Sequence, residues 1–408
     1  MTSAQTSPRF DGLDTLRAVA ILLVFAYHYR VFVSGEPTFG WVSTVGWTGV
    51  DLFFVLSGYL IGNQLLSGVT KGKSLSLRAF YLRRLLRTLP NYYVVLALYF
   101  TLPTLMGGRT PPPLWRFLTF TQNLWLQPGT AFSHAWSLCI EEQFYVVLPL
   151  VIVGALHFGR SLSKRVAWLA LAGLMVAGVT LRCVLWFRYG LEEGGAVEGY
   201  YPNIYYSSFC RFDEFLPGVA IAMLKNFHPE LWKRVTGWGR ATLGAGVLAT
   251  AVLFALLARY YYVDGYGYGF AMTGFGYSLV ACAFALLVVA ALSPGSLLYR
   301  VRVPGAAPLA AWSYAIYLTH KPLAHIAREQ LKPWGLGSGA TVAIIAALCL
   351  LGGWLLYRFV ETPFMRLRDR YHPTNFHTAA SEAGAASAEA NASMPQQDTA
   401  VTFRSRSA

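Results

Sequence analysis

Ten apolar runs of roughly membrane length punctuate the chain, near residues 13–33, 45–66, 80–105, 138–158, 166–187, 206–224, 241–259, 271–292, 307–326 and 338–358. A helix needs about 20 apolar residues to cross the hydrocarbon core of a bilayer. The polar positions between the runs alternate in character. With a cytoplasmic N-terminus, Lys71, Lys73, Arg78, Arg160, Lys164, Arg165, Lys225, Lys233, Arg234, Arg240, Arg300, Arg302, Arg366, Arg368 and Arg370 all fall on the inner side. The segment 189–205 carries Glu192, Glu193 and Glu198 with no Lys or Arg, and 260–270 carries one Asp and no Lys or Arg. Basic residues favour cytoplasmic loops, so the pattern predicts both termini inside. Arg182, Arg188 and Arg211 run against it, crowding the outer ends of the fifth and sixth runs.

The predicted class is therefore all-α: a polytopic integral membrane protein with about ten transmembrane helices. Composition agrees, since 55% of residues are hydrophobic and 13% charged, against about 25% charged in soluble domains. A net charge of +14 could suggest nucleic acid, but the basic residues lie between apolar runs rather than on one soluble face. Topology explains them, and no nucleic-acid partner is expected. The five cysteines are scattered through apolar stretches without a CxxC pair, so neither a disulfide framework nor a metal site is indicated. The first run resembles a signal peptide in length, but Arg17 lies within it and further runs follow. There is no visible internal repeat. Residues 1–375 read as one membrane domain. Residues 376–408, rich in Ala, Ser, Thr and Gln, read as a disordered cytoplasmic tail.

Ionisable residues inside membrane-length helices are costly and want a reason. Arg17 and His28 lie eleven residues apart in the first run, which puts them on one helix face about 16 Å apart along the axis. Arg84 and Arg87, at i and i+3 near the start of the third run, also share a face. Guanidinium forks suit phosphate groups; plain positive-inside anchoring is the competing explanation. Nearer the outer side lie His28, Asp51, Glu141, Glu142, Arg211, Asp213, Glu214 and His320. Glu141 and Glu142 are about 100° apart on a helix, so one faces any given site. The other is expected to pair with a cation such as Arg211. A lone intramembrane histidine is usually a hydrogen-bonded core residue, but two at similar depth beside carboxylates suit acid–base chemistry. The residues suggest a phosphate-bearing donor docked inside and a reaction nearer the outer face.

The motifs resemble those of the membrane-bound acyltransferase family 3, O-acyltransferases that decorate bacterial surface sugars. The matching pieces are Arg17 followed by ten residues and His28, Gly49 to Ile61 (GVDLFFVLSGYLI), Phe80 to Pro90 (FYLRRLLRTLP) and Trp136 to Tyr145 (WSLCIEEQFY). Then come Arg211 to Phe215 (RFDEF), Tyr317 to Pro322 (YLTHKP) and Val360 to Pro363 (VETP). They occur in family order over about residues 9–370.

The resemblance implies ten helices and transfer of an acyl group, commonly acetyl from acetyl-CoA, to a carbohydrate hydroxyl. It implies that His28 is catalytic with Arg17 as its paired motif residue, that Arg84 and Arg87 help hold the CoA phosphates, and that Glu141 is more motif-like than Glu142. Asp51 and His320 complete the candidate catalytic set. A carboxylate is expected to orient His28, from Glu141, Asp51 or Glu361. The expected partners are acyl-CoA, a carbohydrate or lipid-linked saccharide such as an exopolysaccharide or lipopolysaccharide unit, and membrane lipid. The expected location is the bacterial cytoplasmic membrane. The rival class is a transporter that flips a lipid-linked sugar or moves a polar metabolite, since intramembrane His, Glu and Arg also line translocation paths. A scaffold subunit of a polysaccharide-export assembly is a third reading.

Overall fold

The computed structural model describes residues 11–107, 111–159, 163–192 and 196–376. The tail from residue 377, and Arg160 and Glu193 among the loop charges, lie outside these residues. Helices occupy all ten predicted places. They are α1 (Asp11–Tyr29), α2 (Gly49–Val69), α3 (Leu77–Thr101), α4 (Trp136–Gly159), α5 (Lys164–Tyr189), α6 (Leu216–Phe227), α7 (Gly239–Tyr260), α8 (Tyr277–Ala291), α9 (Ala306–Leu331) and α10 (Ser338–Leu356). The only strands among the described residues are Tyr262–Val263 and Gly267–Tyr268, an antiparallel hairpin. The chain is an all-α polytopic membrane protein.

Seven helices among the described residues are long and apolar enough to cross a membrane by length and composition. The three predicted runs outside that set correspond to α3, to residues 208–227 and to α9. Each departs from a plain apolar helix for a visible reason. α3 carries Arg78, Arg83, Arg84 and Arg87, and α9 carries His320, Lys321 and Arg328. The 208–227 stretch is broken into Ser208–Arg211, Phe212–Phe215 and α6, with the charged Arg211, Asp213 and Glu214 fully buried at the break.

α1 lies at the centre, packed against α9 and α2. Its buried stripe includes Leu13, Leu16, Ala20, Ile21 and Val24. α2 packs most closely on α6. A Cβ at Gly58 would run into the Phe215 carbonyl oxygen, and one at Gly218 into the Val55 carbonyl oxygen. Two backbones at this separation tolerate only glycine, the usual device for close helix packing in membranes.

The loop charges sort to the two ends as the sequence pattern predicts. At one end Asp11 pairs with Arg302 (2.7 Å), Lys164 Nζ donates to the Phe227 carbonyl (2.8 Å) and the Ser76 amide donates to the Asn375 carbonyl (3.0 Å). Leu75 pairs with Phe376, whose ring covers Gly68. Phe376, the first residue of the segment read as tail, is thus packed against the membrane domain. At the other end Leu191 pairs with Gly267 in the tyrosine-rich hairpin region. A reporter inserted after Lys73 is expected to read cytoplasmic, and one inserted after Gly265 to read on the far side. Both reporters in the same compartment would contradict this sidedness.

Candidate active site

Two cavities open along one line of helices. The first, of about 610 Å³, is lined by Asp14 and Arg17 of α1, Ser57 and Gln64 of α2, Arg84, Arg87 and Thr88 of α3, Glu141 and Tyr145 of α4, and Tyr314 and Tyr317 of α9. The second, of about 300 Å³, is lined by Phe32, Tyr99, Phe132, Lys321, His325 and Arg328 among others. α1, α3 and α9 run in the same direction. On each, lower-numbered residues line the first cavity and higher-numbered residues the second, so the cavities lie at opposite ends. The first cavity faces the basic end.

Arg17, Arg84 and Arg87 converge on the first cavity; the i, i+3 spacing predicts the shared face of Arg84 and Arg87. Among the described residues none of the three forms a salt bridge. The Arg84 guanidinium lies 3.6 Å from the centre of the Tyr145 ring, a cation–π contact. Its Nε is buried with no hydrogen-bond partner, and a buried N–H without an acceptor is costly. The group is therefore well suited to an anionic guest.

Glu141 belongs to this arginine layer. Its carboxylate accepts from Ser57 Oγ (3.3 Å) and Tyr145 Oη (3.2 Å), and the Tyr145 hydroxyl also meets Ser57 Oγ at 2.8 Å. Asp51 is elsewhere again. It pairs with Arg211 at 2.6 Å, and Arg211 also binds Glu214; all three side chains are fully buried. Arg211 is thus taken by Asp51 and Glu214, not by Glu142 as expected. Glu361 accepts from Asn91 Nδ2 at 2.7 Å. No carboxylate among the described residues orients His28, contrary to the expectation.

The partner of His28 is His320. Nδ1 of His28 and Nε2 of His320 are 2.6 Å apart, with ring planes 15° from parallel. The protons on this pair follow from its other contacts. His320 Nδ1 faces the carbonyl oxygens of Ile316 (3.0 Å) and Tyr317 (2.9 Å). Carbonyls only accept, so Nδ1 carries the hydrogen, and in a neutral imidazole Nε2 is then the acceptor. His28 must donate through Nδ1, which leaves a bare lone pair on its Nε2. Backbone carbonyls on one helix thus set the tautomer of a histidine on another.

A third histidine completes the cluster, and sequence reasoning missed it. His134 lies in the short turn Ser133–Ala135 ahead of α4, with ring centres 6.3 Å from His28 and 5.5 Å from His320. It is 3% exposed; Nε2 meets the Leu318 carbonyl at 3.3 Å, while Nδ1 is buried without a partner. Phe132 holds the turn at a left-handed φ of 56°, with its ring stacked 4.6 Å from Tyr99. Such strain is sustained only where packing over-determines it. The only signal in the sequence was a histidine two residues ahead of the Trp136 run. The three histidines lie between the cavities: Tyr317, which lines the first, is 5.8 Å from His134, and Phe32, which lines the second, is 5.4 Å from His28. Among the described residues no group of three or more His, Cys, Asp or Glu, this one included, is placed to hold a metal ion.

Comparison with known proteins gives the chain a family. Residues 10–358 match a family model described as an acyltransferase domain. The chain is 28% identical over 375 residues to the peptidoglycan O-acetyltransferase OatA of Listeria monocytogenes, covering 87% of this chain and 56% of the relative. It is 28% identical over 376 residues to a Bacillus subtilis protein named "Putative peptidoglycan O-acetyltransferase YrhL", covering 86% of this chain and 54% of the relative. The chain thus spans about half the length of these curated relatives. No solved structure matches it. With the family match running over residues 10–358, most of the chain, this protein belongs to the acyltransferase domain family.

Proposed function

We propose that the protein is an O-acyltransferase of the bacterial cytoplasmic membrane. It moves an acyl group, acetyl in the first instance, from cytoplasmic acyl-CoA to a hydroxyl of a cell-envelope carbohydrate or lipid-linked saccharide. The observation that carries this reading is the His28–His320 pair, tautomer set, between an arginine-lined cavity and a cavity at the opposite end. The relatives named for O-acetylation of peptidoglycan support a saccharide acceptor.

The first cavity fits the phosphate-bearing end of a CoA thioester. Arg17, Arg84 and Arg87 supply charge-assisted donors, and the Arg84 Nε lacks an acceptor within the protein. Glu141, through Ser57 and Tyr145, braces the ring on which Arg84 rests. Its role in this reading is to position Arg84, while Asp51 ties α2 to the 208–227 segment. The rise along α1 from Arg17 to His28 is about 16 Å, a span that an extended pantetheine arm can cover.

At the histidines, the acceptor hydroxyl gives its proton to the bare Nε2 of His28 as its oxygen attacks the thioester carbonyl. The tetrahedral centre then collapses, the C–S bond breaks, and the proton passes to the thiolate. His320 accepts the His28 Nδ1–H throughout and shares the charge that His28 gains. This direct transfer needs no acyl-histidine, the alternative intermediate of a covalent route.

The test is acyl transfer by the purified chain in detergent with acetyl-CoA and saccharide acceptors, together with NMR of surface polysaccharide from cells with and without the gene. Absence of transfer with every acceptor would overturn the reading. Replacing Arg84 or Arg87 with Ala should raise the KM for acetyl-CoA by roughly tenfold or more, since charge-assisted hydrogen bonds are worth about 1.5–3 kcal/mol. The KM for the acceptor should stay close to wild type. An unchanged acetyl-CoA KM would restore plain anchoring as the role of these arginines.

His28→Ala should lower kcat by about 10²–10⁴-fold, the range for a lost general base. His320→Ala should lower kcat in the same direction with little change in the acetyl-CoA KM. A stable acyl mass increment on His28 after incubation with acetyl-CoA alone would replace direct transfer by the covalent route. Full activity of His28→Ala would remove both.

A further inference from the structure

The second cavity has a chemistry that topology does not explain. Its lining holds Lys321, His325 and Arg328 and, among the described residues, no Asp or Glu. These three lie at i, i+4 and i+7 on α9, one face of one helix. They sit at the end away from the basic loops, where the positive-inside tendency gives no reason for cations. Two of the three heads meet groups of the protein. Lys321 Nζ donates to Ser133 Oγ (2.9 Å) and lies 4.2 Å from the centre of the Phe32 ring, and Arg328 Nη1 donates to the Phe32 carbonyl (3.2 Å). Two cations gathered with an imidazole on one short wall at this end suit an anionic ligand.

We propose that this cavity is the acceptor subsite and that it selects a saccharide carrying an anionic group, a carboxylate or a phosphate. The inference rests on the acyltransferase reading and deepens it. The cavity touches the histidine cluster directly: Phe32 is 5.4 Å from His28, Phe132 is 5.1 Å from His134, and Lys321 follows His320 in the chain. Its volume of about 300 Å³ lies at the small end of ligand sites, which run from about 300 to 1,000 Å³. That suits a single sugar unit. Phe32, Tyr99 and Phe132 give the unit an apolar wall, and the basic face of α9 takes its charge. Bound in this way, a sugar presents its hydroxyls toward His28 while its charged group is fixed along α9.

The test is titration calorimetry of the full chain in lipid nanodiscs with three probes that share one sugar: N-acetylglucosamine, its 3-O-lactyl ether and its 1-phosphate. At least one anionic probe should bind tenfold or more tightly than the neutral sugar. The ether or the phosphate as the tighter probe identifies a carboxylate or a phosphate as the natural group. Lys321→Met and Arg328→Gln should erase most of that preference, and Lys321→Arg should keep it. Equal binding of all three probes to the wild type, or a preference that survives both neutral substitutions in proteins that unfold at the wild-type temperature, would overturn the proposal. Acetyl transfer measured in the same preparations separates it from the broader reading. Transfer without any charge preference overturns the subsite alone, whereas charge preference without transfer to any acceptor overturns the acyltransferase reading alone.

Discussion

The site depends on one constraint: a neutral imidazole carries a single N–H. Two backbone carbonyls of α9 claim the hydrogen on His320 Nδ1, and everything else about the pair follows. His320 becomes an acceptor, His28 a donor through Nδ1, and His28 Nε2 a base. A carboxylate in the place of His320 would hold the ring equally well but would favour a charged, protonated His28. A neutral partner orients the base without that bias. In the proposed mechanism the same logic ties α1 to α9, since the tautomer it uses is set only while the two rings touch.

Elsewhere in the bundle, buried charges that take no part in the histidine pair tie other helices together. Asp51, Arg211 and Glu214 form one fully buried group, and Arg182 and Asp213 another, joined by two hydrogen bonds of 2.6 and 2.9 Å. Arg182 also donates to Ser278 of α8 and to the Gly274 carbonyl. These groups tie α2, α5, α8 and the broken 208–227 stretch together at one depth. Buried ions in an apolar surrounding persist only when paired; each ion here has a partner, although Asp51 Oδ2 accepts no hydrogen bond among the described residues. The Arg211 guanidinium also lies 4.1 Å from the centre of the Tyr277 ring. The two guanidinium groups also donate to the Tyr205, Cys210 and Gly274 carbonyls, supplying partners to backbone groups near the helix break.

Much of this was legible in the sequence. Apolar runs located all ten helices, and loop charge sorted the two ends. Spacing alone placed Arg84 and Arg87 on one face and set Arg17 three turns before His28, because helical periodicity fixes such relations locally. The failures were all tertiary. Asp51, Glu141 and Glu361 look alike as isolated carboxylates in apolar runs, and only their partners Arg211, Tyr145 and Asn91 tell them apart. His134 escaped notice because it sits in a turn, where no periodicity points. Its place beside His28 depends on the left-handed Phe132 and the aromatic stack beneath it. The pairing of two histidines, 292 residues apart, could not be read from either one.

The central claim is the protonation pattern of the histidine pair, and it can be observed directly. Nitrogen-15 NMR of the histidine-labelled chain in lipid, with resonances assigned by single His28 and His320 substitutions, reports which ring nitrogen carries hydrogen. The account predicts that both rings are neutral near pH 7 and protonated at Nδ1, with Nε2 of His28 bare and Nε2 of His320 shifted by the hydrogen bond it accepts. A resting His28 protonated at Nε2, or doubly protonated, would contradict it, because neither form can take a proton from the acceptor hydroxyl through that nitrogen.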